Sequence, residues 1–357
     1  MEIQRALVIT GIAIVSYLMI QAWQQDYANP TQPAAVEEVA QNAQGNDDGL
    51  DLPEPQAETA DDGIPSAPAE RADAPVSEST DATARPERIR VSTDVLRVEI
   101  DPKGGDIVRL ALPEYPRHAD TPDQPFVLLE QDASRTYVAQ SGLIGKNGTD
   151  SSAGRPLWSA AEQSYQLDEN NQELNVDLTL RQDNGAELVK RFTFERGSYL
   201  VRVSHIVRNQ GNSEWSGALY GQIKRDGSED PGLSNSGFIP MPTYLGGAYW
   251  DSEKPYNKFD FDDMAEKPLD LTVQGGWVAM AQHYFVSAWV PDAQQKNKYS
   301  SVYLEKRGQY LLRFVSPTVK VAPGEEKVLY AEFYAGPKQQ DKLEAISPGL
   351  NLSLIHI

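Results

Sequence analysis

Cysteine is absent from the 357 residues of this chain. Without a thiol there is no disulfide, no thiolate zinc site, no cysteine nucleophile and no acylated lipoprotein anchor. Basic residues are also scarce, because 32 Lys and Arg stand against 52 Asp and Glu, for a formal net charge of -20. A surface that binds nucleic acid needs clustered Lys and Arg. Nucleic acid is therefore not predicted as a partner.

The motifs of metal and cofactor sites are missing too. Only four histidines occur, and no two have the His-x-His or His-x3-His spacing of a metal site. Neither a glycine-rich dinucleotide motif nor a phosphate-binding loop is present. The run DFDDM holds Asp260, Asp262 and Asp263, but it lacks the Gly and distal Glu of a calcium loop and is interpreted as an acidic turn. The sequence predicts no catalytic residue, no metal and no cofactor.

Residues 6–23 form an uncharged apolar run that follows Arg5. As a helix, these residues would reach about 27 Å, close to the ~30 Å hydrocarbon core of a bilayer. A cleaved signal peptide is the alternative, but the flanking charges are weak and no small-x-small cleavage site follows. We interpret the run as an uncleaved signal-anchor whose N-terminus, residues 1–5, is cytoplasmic.

Residues 24–86 differ sharply in composition. They contain fourteen Asp and Glu, only two basic residues, and eight of the 24 prolines. Such a segment cannot bury enough apolar surface to offset the entropy of ordering it. The sequence predicts a disordered acidic, Pro-rich linker, with an acidic docking arm as the alternative.

The remaining sequence is dominated by a period of two, which is typical of strands. Leu174, Val176, Leu178 and Leu180 alternate with polar residues, and the turn DNG precedes the apolar run AELVKRFTF, which predicts a β-hairpin. No useful helical period occurs before residues 339–346. An all-β fold, built as one large β-sandwich, is therefore predicted.

The run GGWVAMAQHYFVSAWVP at residues 275–291 could be a second membrane crossing, a core strand or a partner-binding patch. Its apolar part has 15 residues, about 22 Å as a helix, with Gln282 and His283 near the middle. Both features oppose a membrane span. We interpret the run as two consecutive strands covered on both faces.

Five stretches of the sequence are diagnostic together: MEIQRALVITGIAIVSYLMIQAWQQD at the start, then STDVLRVEIDPKGGDIVRLALPEYP, LGGAYW, GGWVAMAQHYFVSAWVP and AGPKQQDKLEAISPGLNL. In these stretches the chain resembles the Gram-negative YidC membrane-protein insertase family. The resemblance covers nearly the whole chain except the linker. The resemblance implies a periplasmic β-supersandwich, similar to galactose mutarotase, with an N-terminal transmembrane helix and a short C-terminal helix.

The same resemblance implies an inner-membrane protein that inserts and helps to fold other membrane proteins. In the family, about five further helices form a hydrophilic groove whose arginine receives polar parts of a nascent inner-membrane protein. The implied partners are those nascent proteins, the lipid bilayer and the Sec translocon, including SecD/SecF. After Leu352 this chain departs from the family pattern, and no residue matches the groove arginine.

These considerations divide the chain into six segments. The first three are residues 1–5, 6–23 and 24–86, as described above. The predicted periplasmic β-supersandwich covers 87–337 and a helical connector to the missing membrane core covers 338–352. Residues 353–357 are interpreted as a non-native tail.

Candidate partner-binding residues are the aromatic residues of loop-like sequence, which are predicted to be exposed interface anchors, and two apolar residues of the connector. They are Tyr244, Tyr249, Trp250, Tyr256, Phe259, Leu343 and Ile346. The alternative for the aromatics is that they pack their own loops. The connector helix could lie on the membrane surface or cap the sandwich.

A second hypothesis is a membrane-tethered periplasmic sugar-binding or mutarotase-like protein. That chemistry needs a histidine and a carboxylate facing each other in a cleft. His205 and His283 are the candidates, and the alternative for each is a core or sheet-face histidine. His118 lies in a Pro-rich loop and His356 in the tail.

Overall fold

The computed structural model describes residues 87–354, apart from residues 119, 152–153 and 230–243. The predicted segments 1–5, 6–23 and 24–86 lie outside the described residues, as does the end of the predicted tail, 355–357. Within the described part, no helix has the length and apolarity needed to cross a membrane.

Two large sheets account for most of the described residues, which confirms the all-β prediction. Strands are numbered here in chain order. The first sheet has eleven strands, which are β1 (Ile89–Ser92), β2 (Arg97–Asp101), β3 (Asp106–Pro116), β4 (Pro125–Gln131), β5 (Thr136–Ile144), β7 (Ser164–Gln166), β11 (Trp215–Asp226), β14 (Asp270–Gln274), β17 (Lys296–Leu304), β18 (Gln309–Val315) and β19 (Val319–Val321). Its order is β14-β17-β18-β11-β5-β4-β3-β2-β1-β7, with β19 paired to β11.

The second sheet has nine strands and is antiparallel wherever neighbours pair. Its members are β6 (Ser159–Ala160), β8 (Glu173–Arg181), β9 (Ala186–Glu195), β10 (Leu200–Asn209), β12 (Gly246–Tyr249), β13 (Asn257–Phe259), β15 (Val278–Ala281), β16 (Phe285–Pro291) and β20 (Glu326–Pro337). They lie in the order β13-β12-β15-β16-β20-β10-β9-β8-β6.

The two sheets pack against each other through large apolar side chains. Trp289 of β16 lies with its ring 6.1 Å from that of Phe314 in β18, and its indole nitrogen donates to the Gln222 carbonyl of β11 at 3.1 Å. Both aromatic residues are buried. The sandwich prediction is therefore confirmed.

The period of two predicted particular strands correctly. β8 and β9 pair antiparallel from Glu173 and Glu195 to Arg181 and Glu187, around the predicted DNG turn. The run at 275–291 forms β15 and β16, in which every residue is buried. These strands sit inside the second sheet and are covered on both faces, so both strands of the run are core.

Helix is rare but occurs at one place that the sequence did not predict. α1 spans Phe261–Glu266, where Asp260 caps the helix by accepting a hydrogen bond from the backbone N–H of Asp263 at 2.8 Å. The run DFDDM, interpreted above as an acidic turn, instead begins this helix, because a capping carboxylate stabilises a helix too short to show a period.

The C-terminal segment follows β20 and begins with α2, Gln340–Ile346. A 3-10 helix, Leu350–Leu354, comes next, and another, Glu305–Arg307, joins β17 to β18. The predicted short C-terminal helix is therefore confirmed. β20 ends at Pro337.

Candidate interaction site at the C-terminal segment

The C-terminal segment is built into the core of the sandwich. Leu343 of α2 and Leu350 of the following 3-10 helix are both fully buried, and Ile346 packs against the same core cluster. The other side chains of α2, such as Asp341 and Glu344, are exposed. Because its apolar face is used against the sandwich, α2 caps the body and does not present Leu343 and Ile346 to lipid.

Trp277 is the side chain that contacts this segment from the sandwich. It is fully buried, and its indole nitrogen donates to the carbonyl of Pro348 at 3.2 Å. The ring of Tyr256 packs against that of Trp277, with centroids 5.7 Å apart. Next to Pro348, a Cβ on Gly349 would lie 2.4 Å from the carbonyl oxygen of Pro255, and Gly349 has a φ of 80°. Only glycine suits that backbone and that spacing.

The predicted partner-binding aromatics pack against the body. The rings of Tyr249 and Phe259 meet edge to face with centroids 5.9 Å apart. The hydroxyl of Tyr244 accepts from the Phe259 backbone N–H at 2.9 Å and donates to the Gly247 carbonyl. The backbone N–H of Trp250 donates to the Trp277 carbonyl at 3.0 Å.

The expected exposure is wrong for Phe259, which is only 8% exposed, while Tyr244, Tyr249, Trp250 and Tyr256 are half-buried. In the connector, Leu343 is 0% exposed and Ile346 is half-buried, as in the alternative that the connector caps the sandwich. The physical reason is that β12 and β13 form an antiparallel pair, which draws the loop side chains onto the second sheet. Their role in binding a partner stays a prediction.

A second feature is a buried cluster of charges near the junction of β3 and β5. Arg155 contacts Asp106 at 2.8 Å and Asp150 at 2.5 Å, and all three side chains are nearly inaccessible to solvent. The shorter contact is an ion pair without the alignment of a hydrogen bond. A Cβ on Gly142 would lie 2.2 Å from the Asp150 carboxylate, so glycine there makes room for this charge.

Lys190 reaches the cluster from the second sheet. Its ammonium donates to the carbonyls of Gly104 at 3.0 Å and Ser141 at 2.8 Å. The same two carbonyls also accept from Arg155, at 3.1 and 2.9 Å. The cluster therefore joins the two sheets through shared acceptors, and its charges partly compensate each other.

Burial shifts the pKa values of Lys190 and Asp106 in this cluster. Burial lowers the pKa of Lys190 to about 7, against the opposing attraction of Asp106. Burial also raises the pKa of Asp106, although Arg155 and Lys190 pull it the other way. Burial thus disfavours the charged form of both groups.

Within the described residues, His205 lacks the facing carboxylate expected of mutarotase-like chemistry. His205 is 1% exposed and faces the interior beside Lys190, its cross-strand partner in β9. Burial, Lys190 and Arg155 lower the pKa of His205 well below its usual range, and neither ring nitrogen has a hydrogen-bond partner in the described region. His283 lies between β15 and β16, against the ring of Tyr284. His205 is thus a core histidine.

We expect the stability of the protein to rise between about pH 7 and 9. Lys190 has a folded pKa of about 7 against an ordinary value of 10.5, so in this window the unfolded chain binds more protons. Lys190→Met should reduce the slope of the unfolding free energy against pH by up to about 1.4 kcal/mol per pH unit. Urea titration measures the unfolding free energy.

Lys298→Met is the matched control, because Lys298 is half-exposed and pairs with Asp270 at 3.1 Å. This control should keep the wild-type slope. An unchanged slope in Lys190→Met would show that Lys190 is not held at a lowered pKa.

Comparison with known proteins decides the family. The family model of the YidC periplasmic domain matches residues 88–354. The chain belongs to this family. Its sequence is 68% identical over 361 residues to the membrane protein insertase YidC of Alcanivorax borkumensis, and 43% identical over 375 residues to that of Ectopseudomonas mendocina. The two alignments cover 99% of this chain and 62% and 63% of those proteins.

A solved structure with a similar chain path is a galactose mutarotase-like protein from Lactobacillus casei. The superposition has a TM-score of 0.47 at 10% sequence identity, and it covers 70% of this chain and all of the other.

The buried cluster of this YidC periplasmic domain was missed by sequence reasoning. One signal was available, because Lys190 occupies an inward position between Leu188 and Phe192 in an otherwise apolar alternation. Asp106, Asp150 and Arg155 gave no such signal, since they come from turns and strand ends. Only the fold brings them together.

Proposed function

We propose that the chain is the membrane anchor and periplasmic partner-contact domain of an inner-membrane protein insertase. The whole protein would insert and help to fold nascent inner-membrane proteins, alone or with the Sec translocon. Support comes from the family match and from relatives named membrane protein insertase YidC. The chain spans about 62% of the length of such a relative, so the insertion groove is assigned to sequence that this chain does not contain.

The observation that carries the role of this domain is the packing of its C-terminal segment. Trp277, Leu343 and Leu350 pack that segment on the sandwich, so we expect the body and the connector to move together. With a rigid connector, the position of the periplasmic body determines the position of the segment that follows the connector. We propose that 338–352 joins the body to the membrane core, with 6–23 as the anchor and the N-terminus cytoplasmic.

A chimaera tests this proposal. The chain, joined after Leu352 to the remaining membrane part of the Alcanivorax borkumensis relative, should restore insertion of a small inner-membrane protein in cells depleted of their own insertase. Protease protection of the substrate provides the measurement. The matched control carries the same membrane part without residues 87–337. Failure of the chimaera in a membrane where it accumulates normally would contradict the proposal.

We also propose that the half-buried aromatics near the connector contact the Sec translocon, including SecD/SecF. A photo-crosslinking residue at Trp250 or Tyr256 of the chimaera should give an adduct with SecD or SecF, identified by antibody. The same residue at Tyr284, which is 61% exposed on another loop, is the control. Adducts from Tyr284 alone would rule out the assigned surface.

The domain is proposed to act without catalysis. Because His205 faces the interior and has no carboxylate partner among the residues that the structure describes, galactose and glucose should produce no heat of binding in isothermal titration calorimetry. Binding at micromolar affinity would favour the sugar-binding alternative.

A further inference from the structure

The outer face of the second sheet carries an apolar row between two rows of charges. Val189, Ile206 and Val328 are direct cross-strand neighbours in β9, β10 and β20. Val189 and Ile206 are buried, whereas Val328 is 52% exposed and Tyr330, two residues further along β20, is 40% exposed. Exposed apolar side chains at the centre of a sheet with a polar rim are typical of an interaction surface.

This face is covered at one end and open at the other. Tyr334 of β20 points to the same side as Tyr330 but is buried, beside the ring of Tyr199 at 6.4 Å. The ammonium of Lys342 in α2 lies 5.3 Å from the ring of Tyr199. The C-terminal segment thus covers the Tyr334 end and leaves the residues from Glu332 to Glu326 open.

The charges of the open part are segregated by strand. β10 contributes Arg202 and Arg208, and β20 contributes Glu332 and Glu326. Each arginine pairs with the glutamate opposite it, at 3.0 Å for Arg202 and 2.6 Å for Arg208. One strand of the pair is therefore positive along its outer side and its neighbour is negative.

Two copies of this face have complementary charges when one particular two-fold axis relates them. A two-fold axis that runs parallel to the strands between β10 and β20 places β10 of each copy over β20 of the other. Arg208 then lies over Glu326 of the second copy, and Val328 lies over Ile206 of the second copy. An axis across the strands would place Arg202 over Arg208, which is repulsive. Charge complementarity therefore selects the first axis.

We propose that the β10–β20 face binds a second copy of this chain, face to face, through Val328, Tyr330 and the two Arg–Glu pairs. The apolar centre provides the attraction, and the charges determine the relative orientation. Since packed sheets cross at about 30°, Val328 and Ile206 make the closest contact and the long charged side chains reach across the diverging ends. The overlap is small, so the association is weak.

The first test measures self-association of the whole chain in density-matched detergent by sedimentation equilibrium. The wild-type protein should form dimers as its concentration rises into the millimolar range. Val328→Asp should weaken dimerisation at least about tenfold, because it buries a charge at the apolar centre. Thr179→Asp is the matched control, since Thr179 is exposed in the same cross-strand row but on β8, outside the overlap.

The second test exchanges the charges of both pairs. A chain with Arg202→Glu, Arg208→Glu, Glu326→Arg and Glu332→Arg keeps each pair within the chain and keeps self-complementarity. It should dimerise with itself as the wild type does, yet it should not form mixed dimers with wild-type chains, because like charges then face each other.

Three results would overturn the proposal. One is a wild-type chain that stays monomeric throughout the concentration range, as expected if another protein or another part of the chain covers the face. Another is a dimer that Val328→Asp does not weaken. The third is mixed dimers that form as readily as the pure ones.

Discussion

Arg155→Met is expected to destabilise the protein by about 3–5 kcal/mol. The substitution removes the arginine that contacts both Asp106 and Asp150, and it leaves two carboxylates almost without solvent. It also deprives the carbonyls of Gly104 and Ser141 of one donor each, although Lys190 still serves both. Urea unfolding followed by circular dichroism measures the loss.

The pH dependence identifies the cause of this loss. Burial already raises the pKa of Asp106, and removing Arg155 takes away a charge that lowers it. The variant should therefore recover part of its stability in acid, where Asp106 binds a proton. Arg191→Met is the control, because the Arg191–Asp177 pair is 39% exposed on each side and such pairs contribute about 0–1 kcal/mol. Equal losses for Arg155→Met and Arg191→Met would contradict the assigned role of the buried cluster.

Trp277→Ala is expected to cost about 3–5 kcal/mol and to release the C-terminal segment. The indole is fully buried, and its loss removes the hydrogen bond to Pro348 and the contact with Tyr256. Limited proteolysis should then cut after residue 340 in the variant at denaturant concentrations where the wild type resists.

Two further variants separate the packing from the hydrogen bond. Trp277→Phe keeps a ring but loses the donor, and should cost about 1 kcal/mol from the lost hydrogen bond plus a small packing term. Leu343→Ala keeps Trp277 but opens a cavity under α2, and should cost about 2–5 kcal/mol. Tyr284→Ala, at a side chain that is 61% exposed, is the control. Resistance of Trp277→Ala to cleavage would show that the segment is held by other contacts.

The strands could be predicted because their signal is local. Three local signals were available: the alternation in residues 174–180, the DNG turn and the continuous apolar run at 275–291. They depend on which faces of a strand are buried, and they identify β8, β9, β15 and β16. The order of the strands in the sheets could not be read from such local signals, because it depends on pairing between distant segments.

The site was less predictable, for the same reason. Trp277 and Pro348 are 71 residues apart, and no local pattern says that they meet. The aromatics of residues 244–259 were predicted to be exposed because their sequence looks like loop, but β13 within it pairs with β12. α1 did have a signal, the spacing of Asp260 and Asp263 at a helix start, which an acidic turn also explains.

Hydrogen exchange at the C-terminal segment tests most directly whether body and connector form one unit. The backbone N–H groups of Leu343, Ser347 and Leu350 are all bonded within the segment. If the segment belongs to the core, these amides should exchange with the free energy of global unfolding, like those of β10 and β16. Exchange within seconds, with the strands still protected, would show a loose tether and would contradict the proposed rigid connection.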